Sequence, residues 1–266
     1  MVRRPPCVAG RFYPGEPEIL ERTVDTLLFE TTREDAISIV SPHAGYIYSG
    51  AVAGAVFSSV NLPDNIILIG PNHTGLGQTA SLMARGYWDI PTGRVEINSE
   101  LAGLLLDSGA FSDDKAAHLM EHSLEVQLPF IRSLNKKASI VPITVMRGNA
   151  DECAGMGEAL AGAVLAYKKP VLIVVSSDMN HYETDIKTRE KDKLAIDRVL
   201  KLDAAGLLNI TSSRNISMCG VIPAAIAITA SRLLGAREAR LVKYSTSGET
   251  SGDMKQVVGY AGILIK

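Results

Sequence analysis

The sequence predicts an α/β fold, a three-layer sandwich with a central mixed sheet, carried by a single domain over residues 1–266. Three observations lead there. Four apolar, β-branched runs are nearly continuous rather than alternating, as strands covered on both faces are. Helical patterns separate them. No linker, repeat or low-complexity block interrupts the chain.

In chain order, AISIV (36–40) is the first such run, and SGAVAGAVFSSV after it reads as a helix. NIILIG (65–70) is the second run. Residues 79–97 differ: two strand-like pieces flank Pro-Thr-Gly, which predicts a hairpin. HSLEVQLPFIRSL predicts a helix before the third run, SIVPITVM (139–146). ADECAGMGEALAGAVLAY predicts the helix between the third run and the fourth, VLIVV (171–175). Residues 220–235, GVIPAAIAITASRLLG, are apolar but too short to span a bilayer and predict a core helix. RLVKYSTSG and GYAGILIK close the chain as strands added at the sheet edge.

The net charge of −2 argues against a general nucleic-acid or anionic-membrane surface. Cys7, Cys153 and Cys219 are odd in number and widely spaced, without a CxxC pair. That pattern disfavours a disulfide framework or a zinc knuckle and fits a reducing compartment. The N-terminus has two arginines but no apolar core behind them, so it is not read as a signal peptide, and a cytoplasmic location is expected.

Polar residues gather where strands end. AISIV runs into Ser41-Pro42-His43, IILIG into Pro71-Asn72-His73, and VLIVV into Ser176-Ser177-Asp178-Met179-Asn180-His181. In open α/β sheets the ligand crevice lies outside the carboxyl ends of the strands. If these strands are parallel neighbours, His43, His73, Asp178 and His181 meet in one cleft. His122 and Glu125, spaced i, i+3, would share one helical face, and His118 would extend it. Cys219 stands just before the apolar helix, where a thiol tends toward the thiolate.

Two imidazoles and one anionic donor can hold a divalent first-row metal and leave positions open. His43 and His73 are the natural pair; the third donor is Cys219, Asp178 or Glu125. His181 is then free as an acid/base, oriented by Asp178. A competing arrangement needs no metal: Cys219, His181 and Asp178 as a nucleophile–base–orienter triad for acyl transfer, with Gly220 near the oxyanion. A third class is a degenerate cleft that binds a peptide or another partner without turnover.

SPHAGYIYSG, GPNHTG, EHSLEVQLPF, SSDMNHY and MCGVIP, with AGRFYPGEPEIL at the N-terminus, occur in the order expected for the Memo family, also called AmmeMemoRadiSam system protein B. The resemblance covers nearly the whole chain and suggests a prokaryotic member. It implies a fold like the class III extradiol dioxygenases of the protocatechuate dioxygenase B type, and a metal site at His43, His73 and Cys219 with Asp178 and His181 nearby. The dioxygenases have a carboxylate where this chain has Cys219. The metal implied is non-haem Fe(II), with copper or zinc as the other candidates, and the activity a metal-dependent oxidoreductase. Tyr46, His122 and Glu125 are expected to line the substrate or partner-binding wall. The ligand is a small molecule or peptide; the family name implies association with an AmmeCR-like and a radical-SAM protein.

Overall fold

The computed structural model describes residues 2–266. Its strands are β1 (Arg3–Arg4), β2 (Ser38–Ser41), β3 (Asn65–Pro71), β4 (Ala80–Leu82), β5 (Tyr87–Ile90), β6 (Gly93–Ile97), β7 (Ser112–Asp113), β8 (Ser139–Val145), β9 (Leu172–Ser176), β10 (His181–Glu183), β11 (Ala239–Thr246) and β12 (Val257–Ile265). The helices are α1 (Pro17–Leu27), α2 (Tyr46–Ser58), α3 (Ser99–Asp107), α4 (Leu128–Leu134), α5 (Ala150–Tyr167), α6 (Asp185–Leu200), α7 (Ala204–Ser213), α8 (Val221–Leu233) and α9 (Gly248–Ser251). Short 3₁₀ turns occupy Lys115–His118 and Glu125–Gln127.

The four apolar runs form the parallel centre of a mixed sheet, in the spatial order β8-β3-β9-β2. Side chains alternate between the two faces of a strand. On β3, Ile67 and Ile69 therefore enter one core with α3, α5, α6, α7 and α8. Ile66 and Leu68 enter the other, with α1, α2 and α4. Burial of both faces is why these runs read as continuously apolar. The β5–β6 hairpin turns at Pro91-Thr92, with Gly93 at φ 131°, a conformation open to glycine. β12 lies antiparallel to β2 and carries β10 and β11, so the C-terminal strands do extend one side of the sheet.

α5 starts where a reciprocal cap sets it: Asn149 accepts from Glu152 N while Glu152 accepts from Asn149 N. The expected helix over 122–134 is shorter than its pattern. Residues 121–124 are a loop, a 3₁₀ turn follows, and the α-helix begins only at Leu128, with Pro129 in its first turn. That loop is pressed onto the end of β3. Ser123 Oγ donates to Pro71 O at 3.0 Å, and a Cβ on Gly70 would stand 2.7 Å from Leu124 and 3.1 Å from Ser123 Oγ. Glycine at position 70 is what lets the loop approach.

Among the described residues no helix is long and apolar enough to cross a membrane. Cys7, Cys153 and Cys219 are all unpaired thiols.

Candidate metal centre

β3, β9 and β2 run parallel as neighbours, so the residues after Pro71, Ser176 and Ser41 emerge along one edge of the sheet. His43 and His73 each stand two residues past a strand end. The pressed-down loop adds His122. Each of the three rings offers a nitrogen, and these nitrogens lie within 4.8 Å of one another. Ring centroids are 5.3 Å apart for His43–His73, 5.4 Å for His43–His122 and 4.7 Å for His73–His122. His43 is buried, His122 half-buried and His73 exposed, so the cluster runs from the core to solvent.

Each ring is held from behind. His43 Nδ1 is 2.9 Å from Ser176 Oγ, and its backbone N–H donates to Asp178 Oδ1 at 2.8 Å. His73 Nδ1 is 2.9 Å from Glu121 Oε1, and its backbone N–H donates to the other carboxylate oxygen. Ser123 N also donates to Glu121 Oε1, at 2.9 Å. His122 Nδ1 lies 3.5 Å from the same oxygen. Burial lowers the His43 pKa well below the usual imidazole value, and positive charge on His122 or His73 would lower it further. His122 is lowered too, mainly by burial. Burial works against ionising Glu121, but the bond and charge of His73 and the backbone N–H groups outweigh it and bring the pKa to about 2. Imidazoles that burial keeps neutral at His43 and His122, beside a carboxylate outside the donor set, suit a cation.

Cys219 reaches the same place from the turn just before α8. Its Sγ is 3.3 Å from His43 Nε2 and accepts from Asp178 N at 3.2 Å. A Cβ on Gly220 would meet Ser177 Cβ at 2.5 Å, so glycine there allows the close approach. The expectation of a depressed thiol pKa is corrected. Burial raises it, and the nearby Asp178 carboxylate raises it further. The Asp178 and Gly220 backbone N–H groups and the Ser177 hydroxyl pull it back down without offsetting the burial, and the Gly220 N–H is shared with Ser177 Oγ at 3.0 Å.

The remaining expected residues divide. Asp178 is buried at the site and its pKa is raised, chiefly by burial. It holds the His43 backbone, while the ring of His181 is oriented by Ser217, whose carbonyl accepts from Nδ1 at 3.0 Å. Asp178 as the orienter of His181 is therefore corrected. Tyr46 and Glu125 are turned into the protein instead of lining the cleft. Tyr46 donates to Val126 O at 2.7 Å and packs on Phe130. Glu125 is fully buried against Arg4 and Tyr13. His122 and Glu125 do not share a helical face, because His122 precedes the turn. His118 is buried against Trp88, away from the cluster.

Glu121, Ser176 and Gln127 touch this site and were not singled out in the sequence. In the sequence Glu121 stands just before the predicted helix over 122–134, where an acidic side chain suits the first turn. Ser176 and Gln127 lie inside the motifs SSDMNHY and EHSLEVQLPF, but neither carries a chemical signal of its own, and only the fold brings them together, 2.9 Å apart.

A family profile described as "Memo-like protein" matches residues 4–264. Proteins described as MEMO1 family proteins align over nearly their full length. One from Pyrobaculum arsenaticum is 42% identical, covering 98% of each chain, and one from Aquifex aeolicus is 41% identical, covering 98% of each. One from Methanosarcina acetivorans is 40% identical over 100% of both. The crystal structure of an uncharacterized protein from Escherichia coli K12 superposes with a TM-score of 0.53 at 15% identity, covering 85% of this chain and 98% of that one. That likeness shows a shared fold.

Proposed function

This chain belongs to the Memo family, and from that premise we propose that it binds one first-row divalent metal ion between His43 and His73 at the carboxyl edge of the sheet. The observation that carries the reading is the convergence of three imidazoles, with one nitrogen of each within 4.8 Å of the others. The donor chemistry fits: neutral imidazoles suit iron, copper and zinc alike. Two groups compete to be the third donor. His122 lies within the cluster, and Cys219 touches His43 Nε2. We favour Cys219, whose thiol proton a bound cation would displace despite the burial that raises its pKa.

We favour iron(II) as the ion and an oxidoreductase as the activity. Bound iron would supply an open coordination position and one-electron chemistry. The chain's own contribution is to hold the neutral rings, exclude water around His43, and present His181 at the rim. With its Nδ1–H donated to Ser217 O, His181 keeps a lone pair on Nε2 that can take a proton from a bound hydroxyl. The acyl-transfer reading has less support. The imidazole against Cys219 is His43, not His181, and the Gly220 N–H is already used.

Metal analysis of protein purified without oxygen tests this reading. One iron per chain is expected, with most of it lost in His73→Ala. Iron-free protein that takes up no added Fe(II), Cu or Zn would rule the metal centre out and favour a partner-binding cleft.

A further inference from the structure

Hydrogen bonding around His43 and His73 admits one tautomer for each ring, and we infer that Ser176, Gln127 and Glu121 are positioning residues that keep the proton on Nδ1 and the lone pair on Nε2 in both. The inference deepens the metal-binding reading and rests on it for its purpose, though not for its geometry.

The argument is a count of protons. Ser176 Oγ lies 2.6 Å from Ser123 O. A backbone carbonyl only accepts, so the hydroxyl spends its single hydrogen there. The end of the Gln127 amide that faces Pro42 O at 2.9 Å and Ser41 O at 3.5 Å must be the NH₂, because the flipped amide would set three oxygens against one another. Its second hydrogen points to Ser176 Oγ at 2.9 Å. Oε1 of the same amide is left buried without a partner, so the orientation is chosen by the NH₂ end. Ser176 Oγ has now given one hydrogen and accepted one. Its remaining contact, His43 Nδ1 at 2.9 Å, can only be an N–H donated by the ring. The hydroxyl is then complete, and Nε2 carries the lone pair on the side where Cys219 stands.

His73 follows the same rule by a shorter route. Both oxygens of Glu121 already receive backbone N–H groups, from His73 and from Ser123. The carboxylate is an acceptor at each oxygen, so the His73 Nδ1 at 2.9 Å is a donor. One segment, residues 121–127, thus sets both rings: Glu121 directly, and the Ser123 carbonyl and Gln127 amide through Ser176. The second partner of a metal-binding imidazole fixes which nitrogen is free, and losing that partner typically costs 10–100-fold in affinity.

Nitrogen-15 NMR of histidine-labelled, metal-free protein reads the tautomers directly, in buffer above the ordinary imidazole pKa of about 6.5. Two-bond correlations should show Nδ1–H and an unprotonated Nε2 for His43 and His73. Ser176→Ala should release His43 to the Nε2–H form or a mixture while leaving His73 unchanged. Glu121→Gln should do the converse. Zinc titrated into each metal-free variant should bind about 10–100-fold more weakly than to wild type. Should Glu121→Gln fail to fold, Ser176→Ala, which removes a single oxygen, still decides the matter. Nε2–H at His43 or His73 in the wild type overturns the inference, as does a Ser176→Ala protein that binds zinc with unaltered affinity. Wild type with the assigned tautomers and no affinity for zinc, iron or copper would instead overturn the metal reading and leave the assignment intact.

Discussion

Replacing Glu125 with alanine should destabilise the protein by about 3–5 kcal/mol, the usual result of stripping one partner from a buried ion pair. The magnitude follows from what the carboxylate holds. It is fully buried, and four donors converge on it from residues 4–13: Arg4 Nη1, Cys7 N at 2.8 Å, Val8 N at 3.1 Å and Tyr13 OH at 2.6 Å. Arg4 is equally buried, over the Trp88 ring at 4.2 Å, and also donates to His118 O at 3.0 Å and Glu121 O at 2.7 Å. Alanine leaves that guanidinium charged, out of water and without its anion. Urea unfolding at neutral pH, followed by far-UV circular dichroism, measures the loss, provided the slope with denaturant is unchanged. Arg4→Met combined with Glu125→Gln should lose less than Glu125→Ala alone, because no unpaired charge remains. A loss below about 1 kcal/mol in Glu125→Ala, or a double variant less stable than that single one, would refute the argument that the unpaired charge dominates. The same latch anchors the loop bearing His122 and Glu121, so Glu125→Ala should also weaken metal binding.

Asp192 is buried, accepts from Tyr244 OH at 2.7 Å and Asn180 N at 2.8 Å, and burial lifts its pKa to about 7. Its folded pKa thus lies above the unfolded value of about 3.9, so its share of stability is present at low pH and is lost as pH rises toward about 7, by up to about 4 kcal/mol. Asp192→Asn should flatten that part of the pH dependence; unfolding free energies of both proteins at about pH 5 and about pH 8 provide the check. A saturating metal ion should stabilise wild type by about 2.7 kcal/mol at a hundredfold excess over Kd, and Cys219→Ser should cut affinity more than His122→Ala does, both read by titration under reducing conditions. The reverse ranking would make His122 the third donor. His181→Ala should keep its metal and, once a substrate is in hand, lose about 10²–10⁴-fold in turnover. Loss of the metal with it would make His181 a ligand.

The fold class was legible because burial on both faces of a strand leaves a local mark: Ile66 through Ile69 are all apolar since each faces one of two cores. The positions of His43 and His73 were legible for a related reason. A residue just past a parallel strand must emerge at the sheet edge, whatever else the chain does. Side-chain direction in a loop has no such periodicity. Glu121 and Glu125 are both acidic and four residues apart, yet one backs the imidazoles and the other faces the N-terminal segment. Which way each points depends on Gly70 admitting the loop and on Arg4, more than a hundred residues away in the chain, lying beneath it. Cys219 makes the same point about charge. Its place before a helix suggested a thiolate, but the pKa depends on the water removed and on Asp178 beside it, and both come from packing. Local sequence determined the strands, their order of polarity and the two histidines at their ends. Tertiary contact alone decided which partners orient those rings, because hydrogen-bond geometry between residues such as Ser176 and His43 exists only once β9 and β2 are side by side.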